Sequence, residues 1–496
     1  MLKYMKEEMG MTLTENGAVT HDSTGSDCLD LFATIGALRK EKEDEIITRF
    51  MRAYTEDADT AMKTLFFARD VRGGLGERRV FRTIFNWIAK NHPESVKKNM
   101  AFVAEFGRFD DLLVLIGTPC EKEMLSYLRE LFEIDVLAME KGESVSLLAK
   151  WLPSVNASNN QTVQMAKKIS KAFGLSEGKY RKLVSTLRAR IRIIENNLRE
   201  KDYTFDYEKQ PSRAMYKYKT AFLRNDGERY KEYISKVNNG EAKLHADNVA
   251  PYEMVAPYLT YSWGQNNNSF MKYISDEEKQ VLNATWSSLP DFGGEENAIA
   301  VVDTSGSMYG WGNPMPAAVA LSLGLYFAER NKGVFKNHFI EFSARPRLIQ
   351  IKGETFADRL RYVASFNEVA NTNLEAVFDV ILSAAVKNNV SQEELPDKLI
   401  IISDMEFDCC VNNASMTNFK NAEKKYAAYG YKLPQIVFWN VASRNRQQPV
   451  KMNEQGVALV SGATPRLFEM VAGGLVSPYN FMMDVLGKER YARITA

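Results

Sequence analysis

An aspartate and two serines stand at alternating positions in Asp303-Thr304-Ser305-Gly306-Ser307, directly after the apolar run AIAVV. Short oxygen-bearing side chains two residues apart, with a glycine that permits a tight turn, can aim several hard oxygens at one point; a hard cation is the natural occupant. Two distant segments offer oxygens in comparable places, Thr372 in ANTNLEA just ahead of a helical stretch, and Asp404 at the end of KLIIISD. On the residues alone a second reading stays open, in which the hydroxyls only cap a strand-to-helix turn. Nucleophilic catalysis is poorly served, because the run TSGSM lacks the GxSxG pattern and no histidine stands near Ser305 in sequence. No GxxxxGK[ST] loop is formed there either, so a phosphate cradle is missing. A non-enzymatic protein is expected.

Bringing positions 303, 372 and 404 together requires a sheet that ends all three segments at one pole. AIAVVD, HFIEFS, RLIQI, KLIIISD, QIVFWNV and GVALVSG read as strands. They alternate with helical stretches at Pro316 to Arg330, Leu374 to Asn389, Asn413 to Tyr429 and Pro465 to Ala472. Strands apolar on both faces and separated by helices predict a doubly wound α/β domain, with a parallel sheet covered on both sides, over 296–496. Ligands of such sheets bind at the carboxyl ends of the strands. The boundary is expected in SSLPDFGGEEN, and residues 1–24 are read as an N-terminal extension.

Over 25–290 the pattern is helical. In EKEDEIITRFMRAYTED, Ile46, Ile47, Phe50, Met51 and Tyr54 share a face, and similar segments follow at about 56–69, 77–91, 121–141, 159–172 and 176–200. A helical-repeat array, HEAT-like in kind, suits this half, although no fixed period emerges.

The 496 residues, with 45% hydrophobic and 26% charged, describe a folded multi-domain chain. No uncharged apolar run reaches the length of a membrane span, so a cytoplasmic protein with no membrane partner is expected. Cys28, Cys120, Cys409 and Cys410 form no CxxC pair, and the four histidines give little for a metal site of the zinc type.

The net charge of +1 conceals a basic tract: residues 161–224 hold 16 Lys and Arg against 6 Asp and Glu. A single helix through YRKLVSTLRARIRIIENNL would stack Arg181, Arg188, Arg192 and Arg199 on one face, opposite Leu183, Leu187, Ile191, Ile194 and Leu198. Downstream, Arg213, Lys217, Lys219 and Arg224 interleave with Tyr216, Tyr218 and Phe222, a mixture suited to phosphates and unpaired bases. A solvated helix face balanced by acidic neighbours is the alternative. RDVRGGLGERR offers either an anion nest of backbone amides or a plain interhelical link.

The set Asp303, Ser305, Ser307, Thr372 and Asp404 resembles, in order and strand context, the metal-ion-dependent adhesion site (MIDAS) of von Willebrand factor type A (vWA) domains. The resemblance implies that Ser305 and Ser307 ligate Mg²⁺ directly, that Asp303 and Asp404 act directly or through water, and that Thr372 ligates in one of two loop states. One coordination position is then left for water or a partner's carboxylate. Across the chain, STGSDCLDLF, RDVRGGLGERRVFR, EFGRFDDLL, LLAKWLPSVN, SRAMYKYKTAFL, VDTSGSM and IISDMEF are similar to the domain-of-unknown-function 2828 family (DUF2828), a helical part followed by a vWA-like part. More distantly the order resembles the TROVE module of the Ro autoantigen, whose helical ring binds small noncoding RNAs and the ends of misfolded ones. These resemblances imply a non-enzymatic RNA-binding protein of Ro-like architecture with a Mg²⁺ site, its partner a small noncoding or structured RNA. The alternative is an adaptor whose metal site captures an acidic residue of a protein partner such as a chaperone-type ATPase.

Overall fold

A computed structural model of the chain describes residues 10–191, 193–260, 271–309, 312, 314–342, 345–366, 373–408 and 417–496. Helices fill the chain from Asp27–Thr34 to Asp276–Ser287. The expected segments appear as Glu43–Glu56, Ala58–Arg69, Arg79–Asn91, Glu121–Glu140 and Asn160–Ala172. The expected helix over 176–200 does not run through. Glu177–Ile191 stops, Ile193 adopts an extended backbone, and Ile194–Glu200 starts afresh.

Beyond the helices stands a six-stranded sheet built from β3 (Ala298–Asp303), β4 (His338–Phe342), β5 (Arg347–Gln350), β6 (Lys398–Ser403), β7 (Gln435–Asn440) and β8 (Val457–Ser461). The strand order is β5-β4-β3-β6-β7-β8, so the chain reverses direction across the sheet between β3 and β6, where doubly wound folds hold their ligands. All neighbours are parallel except β5, which runs antiparallel to β4. The fully parallel sheet read from the sequence is corrected at this edge.

Alternation of side chains across the pleat divides the strands between two cores. Ile299, Val301, Ile401 and Phe438 face the helices Leu374–Asn388 and Asn418–Ala428. Ala300, Val302, Ile402 and Trp439 face the helix Pro316–Arg330, in a core that continues into the helical half. That helix is buried from Pro316 to Ala328, because the sheet covers one side of it and the helical half the other. The seam is tight. A Cβ on Gly36, at the end of the first helical segment, would lie 2.4 Å from the carbonyl oxygen of Ser461 at the end of β8. The chain's last residues return to the helical half, where Arg490 and Tyr491 meet the carboxylate of Asp70.

The N-terminal segment forms a small hairpin, β1 (Met11–Leu13) antiparallel to β2 (Val19–His21). It lies against the carboxyl-end pole of the large sheet, with bridges from Gly17 to Asp408 and from His21 to Gln448. Among the described residues no helix is long and apolar enough to cross a membrane.

Candidate metal centre

β3 and β6 lie side by side, so Asp303 at the end of one and Asp404 just past the end of the other arrive at the same pole. The turn after β3 is shaped by Asp303 itself, whose Oδ1 accepts the Ser305 amide at 2.9 Å; a short 3₁₀ turn then covers Gly306–Met308. The Ser305 and Ser307 hydroxyl oxygens are thereby held 3.1 Å apart. Ser307 also bonds to the carboxylate of Asp404. On the other strand Ser403 Oγ donates to Asp303 Oδ2 at 2.5 Å and accepts the Met405 amide at 3.0 Å. That second bond holds Met405 in the left-handed region at φ 67°, a costly conformation for a methionine and a mark of a site fixed by its surroundings.

Asp303 and Asp404 are both buried, and a guanidinium meets the second of them: Arg444 Nη2 donates to Asp404 Oδ2 at 2.9 Å. Burial, and then the neighbouring Asp404, push Asp303 up to about 7, against the hydrogen bonds from Ser403 and Ser305. Burial also raises Asp404, with Arg444 pulling the other way. Two adjacent carboxylates and two hydroxyls, all oxygen donors and short of positive charge, fit a hard divalent cation. Among the described residues no group of three or more His, Cys, Asp or Glu side chains is arranged to hold a metal, so a cation site there must draw on hydroxyls. Thr372 lies outside the described residues. Four of the five sequence-derived positions therefore converge. Ser403 and Arg444 complete the picture without having been singled out; Ser403 is adjacent to Asp404, whereas nothing in the local sequence marks Arg444.

The basic tract is arranged differently from its sequence reading. The helix break between 191 and 194 divides the proposed arginine face, and Arg192 lies outside the described residues. Arg188 points inward: Nε donates to the Ala149 carbonyl at 2.8 Å and Nη2 to the Leu152 carbonyl at 2.6 Å, satisfying carbonyls at the end of the helix Leu148–Trp151. The break also sends the apolar residues to separate cores, Leu187 to the main one and Ile194 to a satellite cluster with Phe222 and Tyr230.

Arg181 and Arg199 are exposed, the latter paired with Glu200. Arg213 pairs with Glu253, and Lys217 donates to Tyr218 Oη. Lys219 lies 3.9 Å over the Tyr216 ring, half-buried and lowered in pKa by that burial. Tyr216 donates to the Glu253 carbonyl, and Phe222 is fully buried. These two rings belong to the fold and offer no open stacking platform. The glycine turn is a link, since the amides of Gly74, Leu75, Gly76 and Glu77 all bond to backbone carbonyls of residues 67–70.

Comparison with known proteins adds the following. The model of the family described as Domain of unknown function (DUF2828) matches residues 14–141 and 127–291, and that of Domain of unknown function (DUF7788) matches 297–477. The chain is 27% identical over 518 residues to Uncharacterized protein L728 of Acanthamoeba polyphaga mimivirus, across 96% of this chain and 87% of that one. Among solved structures, the crystal structure of Deinococcus radiodurans RO (RSR) protein matches at 12% identity and a TM-score of 0.33, covering 93% of both chains.

Proposed function

The chain belongs to the DUF2828 family, and from that premise we propose that it is a non-enzymatic binding protein whose α/β half works as a Mg²⁺-dependent, vWA-like capture site. The observation that carries this reading is the burial of Asp303 beside Asp404 and two hydroxyls, with a guanidinium on Asp404 and, among the described residues, none on Asp303, an arrangement that a divalent cation would complete. Asp303, Ser305, Ser307, Asp404 and Thr372 would hold the ion. When bound, Mg²⁺ supplies an electrophilic coordination position for the carboxylate of a protein partner. Ser305 and Ser307 share a hydrogen bond with each other and Ser307 one with Asp404, a pattern that suits ligation better than nucleophilic attack.

Titration with Mg²⁺, followed by calorimetry and by displacement of luminescent Tb³⁺, tests the reading. The wild type is expected to bind one ion, and Asp303→Ala to lose at least a hundredfold in affinity while keeping its circular dichroism spectrum. Equal binding by the two proteins refutes it.

A second function, binding of small or structured RNA by the helical half, is favoured by Lys171, Lys179, Arg181 and Lys182. These residues stand exposed on two packed helices, with no acidic partner among the described residues. Phosphate contacts of this kind weaken steeply with salt. The double variant Arg181→Glu/Lys182→Glu is expected to lower affinity for a structured RNA about tenfold at 150 mM salt, by roughly the loss of two such contacts, as read by filter binding. Unchanged affinity at every salt concentration excludes this face. Arg188 is unsuitable for that test, because its guanidinium serves the Ala149 and Leu152 carbonyls.

A further inference from the structure

The loop that follows β7, residues 441–449, is gripped from two sides at the candidate metal pole. From the helical half, Arg49 on the helix Glu43–Glu56 donates to Ser443 Oγ at 2.9 Å and to the Asn445 carbonyl at 3.0 Å, while Glu45 pairs with Arg446 at 2.5 Å. From the N-terminal side comes the turn of the β1–β2 hairpin. Its Glu15 carboxylate pairs with Arg444 at 2.8 Å and accepts from Asn445 Nδ2 at 3.0 Å, while the Glu15 amide donates to Glu406 Oε2 at 2.8 Å. Asn16 donates to the Glu406 carbonyl at 2.6 Å. Arg444 therefore stands between two carboxylates, Asp404 on the metal side and Glu15 on the hairpin side, with one guanidinium nitrogen on each.

We propose that Arg444 is the counter-charge Asp404 keeps while the site lacks its cation, and that it yields Asp404 and turns wholly to Glu15 when the cation binds, so that occupancy of the metal site is relayed to the N-terminal hairpin and to the helix Glu43–Glu56. The proposal rests on the cation reading above. A guanidinium and a divalent cation compete for the same carboxylate oxygen and repel each other at close range, more strongly in a buried site than in water. A displaced arginine would ordinarily be left unpaired at a cost of its own; here Glu15 already holds its other nitrogen, so it stays paired in both positions. Because Ser443, Asn445 and Arg446 anchor the same loop to the helical half, any movement of Arg444 is felt there as well. Linkage makes the effect reciprocal: whatever loosens Arg444 from Asp404 must tighten cation binding.

Two variants of the full-length protein test this by giving opposite signs. Arg444→Gln removes the competitor and is expected to tighten Mg²⁺ binding about tenfold, within the range of coupling between sites. Glu15→Gln removes the alternative acceptor, leaves Arg444 to Asp404 alone, and is expected to weaken Mg²⁺ binding several-fold. Hydrogen exchange over 11–21 and 441–448 should respond to Mg²⁺ in the wild type and cease to respond in Arg444→Gln. A loop that merely supports the site would make both variants weaker, and that result overturns the proposal, as does unchanged affinity in both. If Arg444→Gln fails to fold, hydrogen exchange in Glu15→Gln decides: a Mg²⁺ response that persists over 441–448 and is lost over 11–21 supports the relay, and a response unchanged from the wild type in both segments refutes it. Absence of Mg²⁺ binding in the wild type brings down the cation reading together with the relay, whereas binding that neither variant shifts brings down the relay only.

Discussion

Asp303→Asn is expected to abolish cation binding and, in chelator at pH 8, to leave the protein more stable than the wild type by roughly 2–4 kcal/mol. The cause is the position of Asp303, fully buried and beside a second acid. Its folded-state value of about 7 lies above the ordinary 3.8, so the protonated form is the one the fold prefers. The stability contributed by that proton is fully present below about pH 4 and is lost as pH rises through about 7. At pH 8 the cation-free fold must keep both carboxylates charged with a guanidinium, among the described residues, on Asp404 alone, and the full shift amounts to about 4 kcal/mol as an upper bound. Asparagine removes the charge and keeps the shape. Its Oδ1 still accepts the Ser305 amide, and its Nδ2 can donate to Ser403 Oγ, reversing the bond that the serine now gives. Urea denaturation at pH 5 and pH 8, in chelator and in Mg²⁺, checks the prediction. In chelator the wild type should lose stability between the two pH values and Asp303→Asn should lose less, because only the raised carboxyl of Asp404 remains at the site; Mg²⁺ should restore only the wild type. A wild type equally stable at both pH values in chelator contradicts the account.

The chemistry at this pole was legible because the sequence concentrates it. Three of the oxygen donors stand within five residues, and Asp404 follows a strand whose burial on both faces shows as an unbroken apolar run. Apolar runs state where strands lie but not which way they point, and RLIQI gave no warning that β5 runs antiparallel. One of its four residues is buried, the pattern of an exposed edge. The pieces contributed by remote loops were not legible. Arg444 reaches Asp404 across 40 residues, and Glu406 bonds to the Glu15 amide across 391. The hairpin strands, three residues each, are too short for alternation to register. A segment that reads as an appendage is thereby placed against the candidate site.

In the helical half the limits were of another kind. Apolar residues keep helical spacing straight across positions 191 to 194, so periodicity alone predicts one helix where the backbone makes two and sends their apolar faces to different cores. Charge counts fail for a related reason: they weigh a guanidinium equally whether it meets solvent or the carbonyls at a helix end. Arg188 and Arg181 are seven residues apart on the same helix, yet one is spent on the Ala149 and Leu152 carbonyls and the other is exposed. Net basicity therefore overstates the surface available to an RNA and leaves a smaller group around Arg181 as the face to test.

The same inward turning of charge governs the largest stability effect expected in this half. Asp111→Ala should cost about 3–5 kcal/mol, the range for removing one partner of a buried ion pair. Asp111 is fully buried and accepts from Arg69 Nε at 2.7 Å, Arg82 Nε at 2.6 Å and the Arg108 amide at 3.0 Å. Arg69 is itself 1% exposed, so without the carboxylate its charge is stranded where water cannot reach it. Nor can it swing away easily: a Cβ on Gly107 would already stand 2.6 Å from Arg69 Nε, which shows how closely the backbone packs on the guanidinium. Asp110→Ala is the fitting comparison, since Asp110 pairs with the partly exposed Arg82 and is expected to cost no more than about 1 kcal/mol. Replacing Arg69 and Asp111 together by Met and Leu should recover most of what Asp111→Ala loses, because the penalty belongs to the unpaired charge and not to the missing attraction. Denaturation curves that place all three variants within about 1 kcal/mol of the wild type would mean that water reaches Arg69 and that the RDVRGGLGERR turn is held by its backbone bonds to residues 67–70 alone.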